Sequence, residues 1–399
     1  MLPSGQSNFT RRALFCTIVQ KRALRVKFAS VTEKKMRAIL SHQSALEYYR
    51  THGIPGEKTL PDETSSLDRV GPLASGVRQL SSLSLPLEAL STPVHLLVAD
   101  QSLRSHSRSA VAHVWSGAIA RHSLVTTPDE GLLVSSPEFT LLQLVGPPQP
   151  HASPDDKRLY ERLDPSDPLR PLDDPDRWAI DSREVLLARI AMELLGTYRL
   201  ATSSSGETTY GMAPLTSYNA LAHFPDEIPA ARGVELFRAT LSHTMSLSFS
   251  PMETMLALML SLPPRLGGYG LPKPVLNVRL RARRGDISSQ ATIFPDLYWP
   301  EQEVLLEYES LEFHERGAGI LTPDEKLAHD AERANTLLAM GMKPFVARPR
   351  QVLEPDRLDL LARQVAKRLG KPVRVCTGAR AERRTKLHAL LSPNANDRR

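Results

Sequence analysis

Apolar and polar positions change period along the chain, and each change marks an element. Behind Pro93, the run Val94-His95-Leu96-Leu97-Val98 has the length and continuity of a buried strand, as do Val111–Trp115 and Leu132–Ser135. Ser44-Ala45-Leu46-Glu47 reads as a capping box opening a helix that ends near Gly53, with Pro55 beyond it. Ser136-Pro137-Glu138 opens another helix through Val145: serine caps, proline takes the first helical position, and glutamate favours the positive end of the helix dipole. Helical periodicity resumes over Ser182–Ala201 and Val234–His243.

The last third is the most regular. Ser250-Pro251-Met252-Glu253 repeats the serine–proline–glutamate opening, and Met255, Leu256, Met259 and Leu260 give that helix an apolar stripe. Gly267–Gly270 is a turn, because no strand precedes it as a phosphate cradle requires. Strands are predicted at Val275–Arg281, Thr292–Trp299 and Val304–Glu309. Thr322-Pro323-Asp324-Glu325 then launches a helix that stops at Gly341, followed by a strand at Lys343–Ala347 and a helix over Asp356–Leu369. The order α-β-β-β-α-β-α predicts a mixed sheet flanked by helices, so the fold class is α/β locally and α+β overall.

At 399 residues the chain exceeds one compact core. A Pro/Asp-rich stretch with eight prolines and seven aspartates over 147–176 marks a division. The expected organisation is a smaller α+β domain over 36–146, a linker over 147–180, a helical connecting region over 181–248, an α/β domain over 249–370 and a basic tail over 371–399. The net charge of +6 is unevenly placed. Residues 1–35 carry eight Lys/Arg and one acid, and residues 371–399 carry eight Lys/Arg and two acids, so the body between them is acidic. Both ends are expected to be poorly packed, leaving a stable fragment near 36–375, with Met36 as the true start. Cys16 and Cys376 are the only cysteines, which excludes a disulfide scaffold and a cysteine-based zinc site. No apolar run reaches the length of a membrane span, so no membrane partner and a cytoplasmic location are expected.

Candidate chemistry concentrates between Asp296 and Glu332, where eleven acids meet two basic residues, Arg316 and Lys326. A solvated acidic surface accounts for Glu301, Glu303, Glu312 and Glu315. It accounts poorly for Glu307 and Glu309, which end the apolar strand Val304-Leu305-Leu306-Glu307-Tyr308-Glu309 and share one face by period-2 alternation. A tight turn at Pro300-Glu301-Gln302 folds the preceding strand back and sets Asp296 opposite Leu306–Glu307. Converging acids repel and call for a cation; hard oxygen ligands suit Mg²⁺ or Mn²⁺, which could activate water at a phosphodiester.

On those residues the region 250–370 resembles the PD-(D/E)XK restriction-endonuclease-like superfamily, in particular the branch related to very-short-patch repair endonuclease. Asp296, within Pro295-Asp296-Leu297-Tyr298-Trp299-Pro300, falls at the motif's first acid, and Glu307 at its second. Glu309 stands where the superfamily has lysine and the branch aspartate, and Ser310 replaces the branch's glycine. His314 answers the branch's histidine, and Asp330-Ala331-Glu332-Arg333 its helical Asp-x-x-Arg. The resemblance implies an αβββαβ core and a Mg²⁺- or Mn²⁺-dependent endonuclease or nickase acting on DNA, in phage defence or DNA repair. It implies Asp296, Glu307 and Glu309 as metal ligands, His314 in proton transfer, and Asp330, Arg333 and Glu253 as supporting residues.

A second resemblance covers about Leu40 to Val145. Ser41-His42-Gln43-Ser44-Ala45, Pro93–Val98, Val111-Ala112-His113 and Val134–Leu144 look like the middle domain of abortive-infection type IV antitoxin-like proteins. It implies the alternative function: a non-catalytic regulator that binds a toxin, another protein or a nucleic acid through a degenerate nuclease fold. His42, His95 and His113 show no ligand spacing and read as structural, and Trp299 and Tyr308 read as sheet packing.

Overall fold

The computed structural model describes residues 35–55, 66–83, 87, 90–145, 175–202, 206–281, 292–309, 331, 335, 337–373 and 376–393. The molecule is mixed α/β, and its sheets are mixed as well. The first core is built on a six-stranded sheet. Its strands are β1 (Ala38–Leu40), β2 (Val94–Val98), β3 (Ser105–His106), β4 (Ala110–Val114), β5 (Leu124–Thr126) and β6 (Leu132–Ser135), in the order β3-β4-β2-β1-β6-β5. β1 runs parallel to β6 and antiparallel to β2, with Leu40 opposite Leu96. Each strand of the parallel pair leads directly into a helix, α1 (His42–His52) after β1 and α3 (Pro137–Val145) after β6. A short helix, α2 (Val77–Ser82), lies between β1 and β2 in sequence. The helix start predicted at Ser44 falls instead at Ser41, and the Ser44 hydroxyl accepts the His95 N–H at 2.9 Å.

The stretch expected to be a connector is not one. α4 (Pro175–Leu194) sends Leu187, Ala191 and Leu194 into the first core and Val185, Ala188 and Met192 into the second. The β7 (Tyr198–Arg199) and β8 (Thr209–Tyr210) hairpin follows. α5 (Tyr218–Glu227) and α6 (Val234–Leu241) then pack Leu221, Phe224, Val234 and Phe237 back into the first core.

The second core is centred on α7 (Pro251–Ser261), every residue of which is buried up to Leu260. Its sheet holds β9 (Val275–Leu276), β12 (Leu297–Trp299), β13 (Val304–Tyr308) and β14 (Lys343–Ala347), in the order β14-β13-β12-β9. β12 is antiparallel to both β9 and β13, and β14 is parallel to β13. The long strands predicted over 275–281 and 292–299 are each split, because β10 (Leu280–Arg281) and β11 (Thr292–Ile293) leave to form a separate ribbon. Trp299 is buried, its indole N–H donating to the Pro272 carbonyl at 2.7 Å, so it packs the sheet as expected. α8 (Pro349–Leu353) and α9 (Pro355–Arg368) complete this layer, with Leu358, Leu361, Ala362 and Val365 buried.

The tail is a correction. Residues 379–391 form a docked helix, α10 (Ala379–Leu391), with Leu387 and Leu391 in the second core and Arg383 only 2% exposed. Its basic composition hid an apolar stripe, and its arginine is buried because Arg383 pairs with the equally buried Asp181 of α4. The predicted glycine turn makes the contact feasible: a Cβ on Gly267 would stand 2.6 Å from the Arg383 carbonyl oxygen, and one on Gly268 would strike the Leu262 carbonyl. Residues 1–34 lie outside the described residues, as does the Pro/Asp-rich linker up to residue 174. No helix among the described residues is long and apolar enough to cross a membrane.

Removing one partner of a buried ion pair leaves a desolvated charge, so Arg383→Ala should destabilise the protein by about 3–5 kcal/mol. Urea unfolding measures this. A loss below about 1 kcal/mol, the scale of an exposed pair, would show that α10 is dispensable to the second core.

Candidate active site

The site is assembled from the start of α7 outward. The Ser250 hydroxyl accepts the Glu253 N–H at 3.1 Å and donates to Glu253 Oε1 at 2.9 Å; Glu253 Oε2 in turn accepts the Phe249 N–H at 2.9 Å. Ser250 thus caps the helix at the serine–proline–glutamate opening that the sequence pattern predicted. Glu253 Oε2 also accepts Asn277 Nδ2 at 2.6 Å, and Asn277 Nδ2 reaches the Leu247 carbonyl at 2.9 Å. Asn277 sits in the left-handed region at φ 48°, where asparagine is among the more tolerant side chains. Its own N–H is shared between the carbonyls of Pro295 and Asp296, at 3.0 and 3.2 Å. Glu253 thus lies two hydrogen-bonded steps from Asp296. Nothing in the sequence pattern singled out Asn277, a polar residue between apolar neighbours.

β12 and β13 pair with Leu297 opposite Leu306 and Trp299 opposite Val304. Asp296 and Glu307 are the residues next beyond the Leu297–Leu306 pair. Leu297, Trp299, Val304 and Leu306 face the second core, whereas Tyr298 and Leu305 face a separate small cluster with Ile293 and Leu337. Alternation along β13 therefore assigns Glu307, and Glu309 just beyond it, to the Tyr298–Leu305 face. At Asp296 the backbone leaves the ladder, and the carboxylate substitutes for a ladder carbonyl by accepting the Tyr308 N–H at 2.6 Å.

Glu309 follows the end of β13, its N–H bonded to the Ala347 carbonyl. Its carboxylate lies 3.9 Å from Arg348 Nε. In the parallel register Glu307 pairs with Val346, so Arg348 falls beside Glu309 on the same face. Arg348 therefore places a cation beside the Glu309 carboxylate.

Among the described residues, no group of three or more His, Cys, Asp or Glu is placed to hold a metal ion. The candidate ligand set here is the Asp296–Glu307 pair, with Glu309 turned toward Arg348. Two carboxylates remain a fitting donor set for Mg²⁺, which takes one or two from the protein and keeps water on its other positions. His314, Asp330 and Arg333 lie outside the described residues.

A second polar cluster, which sequence spacing missed, lies on the adjacent inner strands β2 and β4 of the first sheet. His95 Nδ1 and His113 Nε2 are 2.9 Å apart and share one hydrogen, and the His42 ring stacks on His113 at 3.8 Å between centroids. The chain positions are far apart, but β2 and β4 are neighbours and α1 starts at the end of β1 beside them. His42 N–H donates to Gln143 Oε1 at 3.0 Å and its Nδ1 meets the Ser41 hydroxyl at 3.0 Å. These contacts tie the three rings to β1, β2, β4 and α3.

Two pH dependences follow, of opposite sign. Burial, followed by the neighbouring His113, His95 and Arg183, holds His42 well below the usual imidazole range. The unfolded chain then takes up this proton first, so stability is present above about pH 6.5 and is lost as the pH falls below it. Replacing His42 by Asn, which tolerates its left-handed backbone at φ 50°, should flatten that acid limb in denaturant titrations between pH 5 and 8. An unchanged limb would remove His42 as its source. For Glu253, burial pushes the carboxyl up to about 7 against the pull of its Phe249, Asn277 and Ser250 donors. The unfolded chain ionises first here, so this contribution is full below pH 4.5 and is lost as the pH rises through 7. Glu253→Gln should abolish that decline in the same titrations; a decline of unchanged size would place the proton elsewhere.

No protein-family model, no curated protein and no solved structure matches this chain, so the acid pair stands on its own geometry.

Proposed function

We propose that the chain is a metal-dependent DNA endonuclease or nickase whose site is centred on Asp296 and Glu307. The observation that carries this reading is the β12–β13 register, which pairs Leu297 with Leu306 and so leaves Asp296 and Glu307 as the next residues of the two strands, with the Asp296 carboxylate accepting the Tyr308 N–H at 2.6 Å. The sheet order, three antiparallel strands with the fourth parallel to the third, supports a restriction-endonuclease-like core preceded by an antitoxin-like domain.

Asp296 and Glu307 would hold Mg²⁺ or Mn²⁺, which when bound lowers the pKa of a coordinated water and offsets charge on the phosphate. The protein's part is positional. The Tyr308 N–H fixes the Asp296 carboxylate, and Asn277 fixes the backbone behind it. Glu307 is only partly buried, which leaves it reachable by a substrate. His314 remains the candidate proton carrier, and Asp330 and Arg333 remain candidate supports. Phage defence or DNA repair is the setting this activity suits.

One observation favours a second reading, a non-catalytic antitoxin-like regulator that binds a toxin or other protein partner. Glu309 occupies the motif's lysine position and faces Arg348. Supercoiled plasmid incubated with the purified protein and Mg²⁺ or Mn²⁺ separates the two. Nicking or linearisation is expected, falling roughly a hundredfold or more in Asp296→Ala and in Glu307→Gln, the scale of removing one charge-stabilising group. No cutting by the wild type, or equal cutting by folded variants, would leave the regulator.

A further inference from the structure

We propose that the exposed face of α9, continued by the first turn of α10, is a docking surface for the phosphate backbone of duplex DNA. Between Asp359 and Glu382 the chain has six Lys/Arg and no acid. Arg363, Lys367, Arg368, Lys371 and Arg380 are all exposed, whereas the apolar residues between them, Leu361, Ala362, Val365 and Ala366, are buried. Helical spacing carries Arg363 and Lys367 along one side of α9, with Arg368 adjacent, and Lys371 follows directly after the left-handed Gly370 that ends the helix.

The two helices are tied at this face. Arg384 of α10 bridges to Asp359 of α9 at 3.0 Å and lies over the Tyr269 ring at 4.0 Å. Arg380, one turn before Arg384, therefore joins the row. Asp359, the acid nearest to it, is already matched by Arg384 and by Arg363 at 3.9 Å, and Glu382 is matched by Lys386 at 2.6 Å. Among the described residues, Lys367, Arg368, Lys371 and Arg380 form no ion pair, so their charge is uncompensated.

Favourable interaction with the dipole of α9 explains only Lys367 and Arg368, which lie in its last turn, and is worth a few tenths of a kcal/mol each. It does not account for Lys371 or Arg380, whereas Arg363 already meets Asp359. A row of uncompensated cations on a rigid helix is complementary to regularly spaced phosphates, whose neutralisation releases counterions. The row begins eight residues into α9, so about 12 Å of helix separates it from the end nearest β14. It is a grip distinct from the acid pair. The choice of DNA over another polyanion rests on the nuclease reading; the surface itself does not.

The test is fluorescence anisotropy of a labelled 25-base-pair duplex in EDTA, across a NaCl series, so that no cutting enters. The triple variant Lys367→Glu, Arg368→Glu, Lys371→Glu is compared with wild type and with Arg78→Glu, Arg104→Glu, Arg108→Glu, three exposed cations of the first unit. Wild type is expected to bind with a steep salt dependence. The α9 triple should bind at least about tenfold more weakly and lose about 3 from the slope of log K against log salt, and the control should retain both. Thermal melts confirm that each variant is folded. Overturning results are no binding by wild type, equal losses in both triples, an unchanged α9 triple, or tighter binding to phosphatidylserine vesicles than to duplex. Because binding is read without metal, an inactive acid pair with an intact grip would sink the nuclease reading alone.

Discussion

Three buried carboxylates on α4 decide how the chain closes. Asp181, Glu184 and Glu193 are each nearly inaccessible, and an isolated buried carboxylate is untenable, so each must meet a cation brought from elsewhere. Asp181 takes Arg383 from α10, Glu184 takes Arg265 from the turn after α7 together with His243 after α6, and Glu193 takes Arg50 of α1 in a bidentate pair at 2.7 and 2.8 Å. Burial alone would raise Glu184 and Glu193, yet their hydrogen-bonded partners hold both below the usual carboxylate range. One helix thus joins the first sheet, the second core and the C-terminal helix.

The geometry of the acid pair depends on that closure. α7 is held against α4 and α10, and its capping glutamate then reaches Asn277, which pins the entry of β12. Glu253 is therefore both a helix cap and a remote support of the Asp296 turn. A cap that is also a strut explains why a carboxyl is kept in a buried place where its ionisation is unfavourable.

The division between the acid face and the basic face follows from the layering. β12 and β13 are covered on one side by α7 and α9 and on the other by the small cluster around Leu305. The acids lie on the second side, and α9, whose outer face is basic, covers the first. Placing opposite charges on opposite layers avoids their mutual neutralisation and leaves each able to meet its own partner.

Local rules made much of this legible in the sequence. The strands Val94–Val98, Leu132–Ser135 and Lys343–Ala347, the helix Pro137–Val145 and the serine cap at Ser250 follow from periodicity, proline position and caps, all of which act within a few residues. The β12–β13 pairing was legible because a three-residue turn fixes an antiparallel register. What tertiary structure alone decided is whatever joins distant segments. The role of α4 was hidden because a helix apolar on two faces and carrying acids looks like a solvated connector. The docking of α10 was hidden because a buried arginine is indistinguishable in sequence from a surface one until Asp181, two hundred positions away, is placed beside it. The contacts among His42, His95 and His113, and the link from Glu253 through Asn277 to Asp296, belong to the same class. Their energies depend on burial and on partners contributed by other elements, and neither is a property of local sequence.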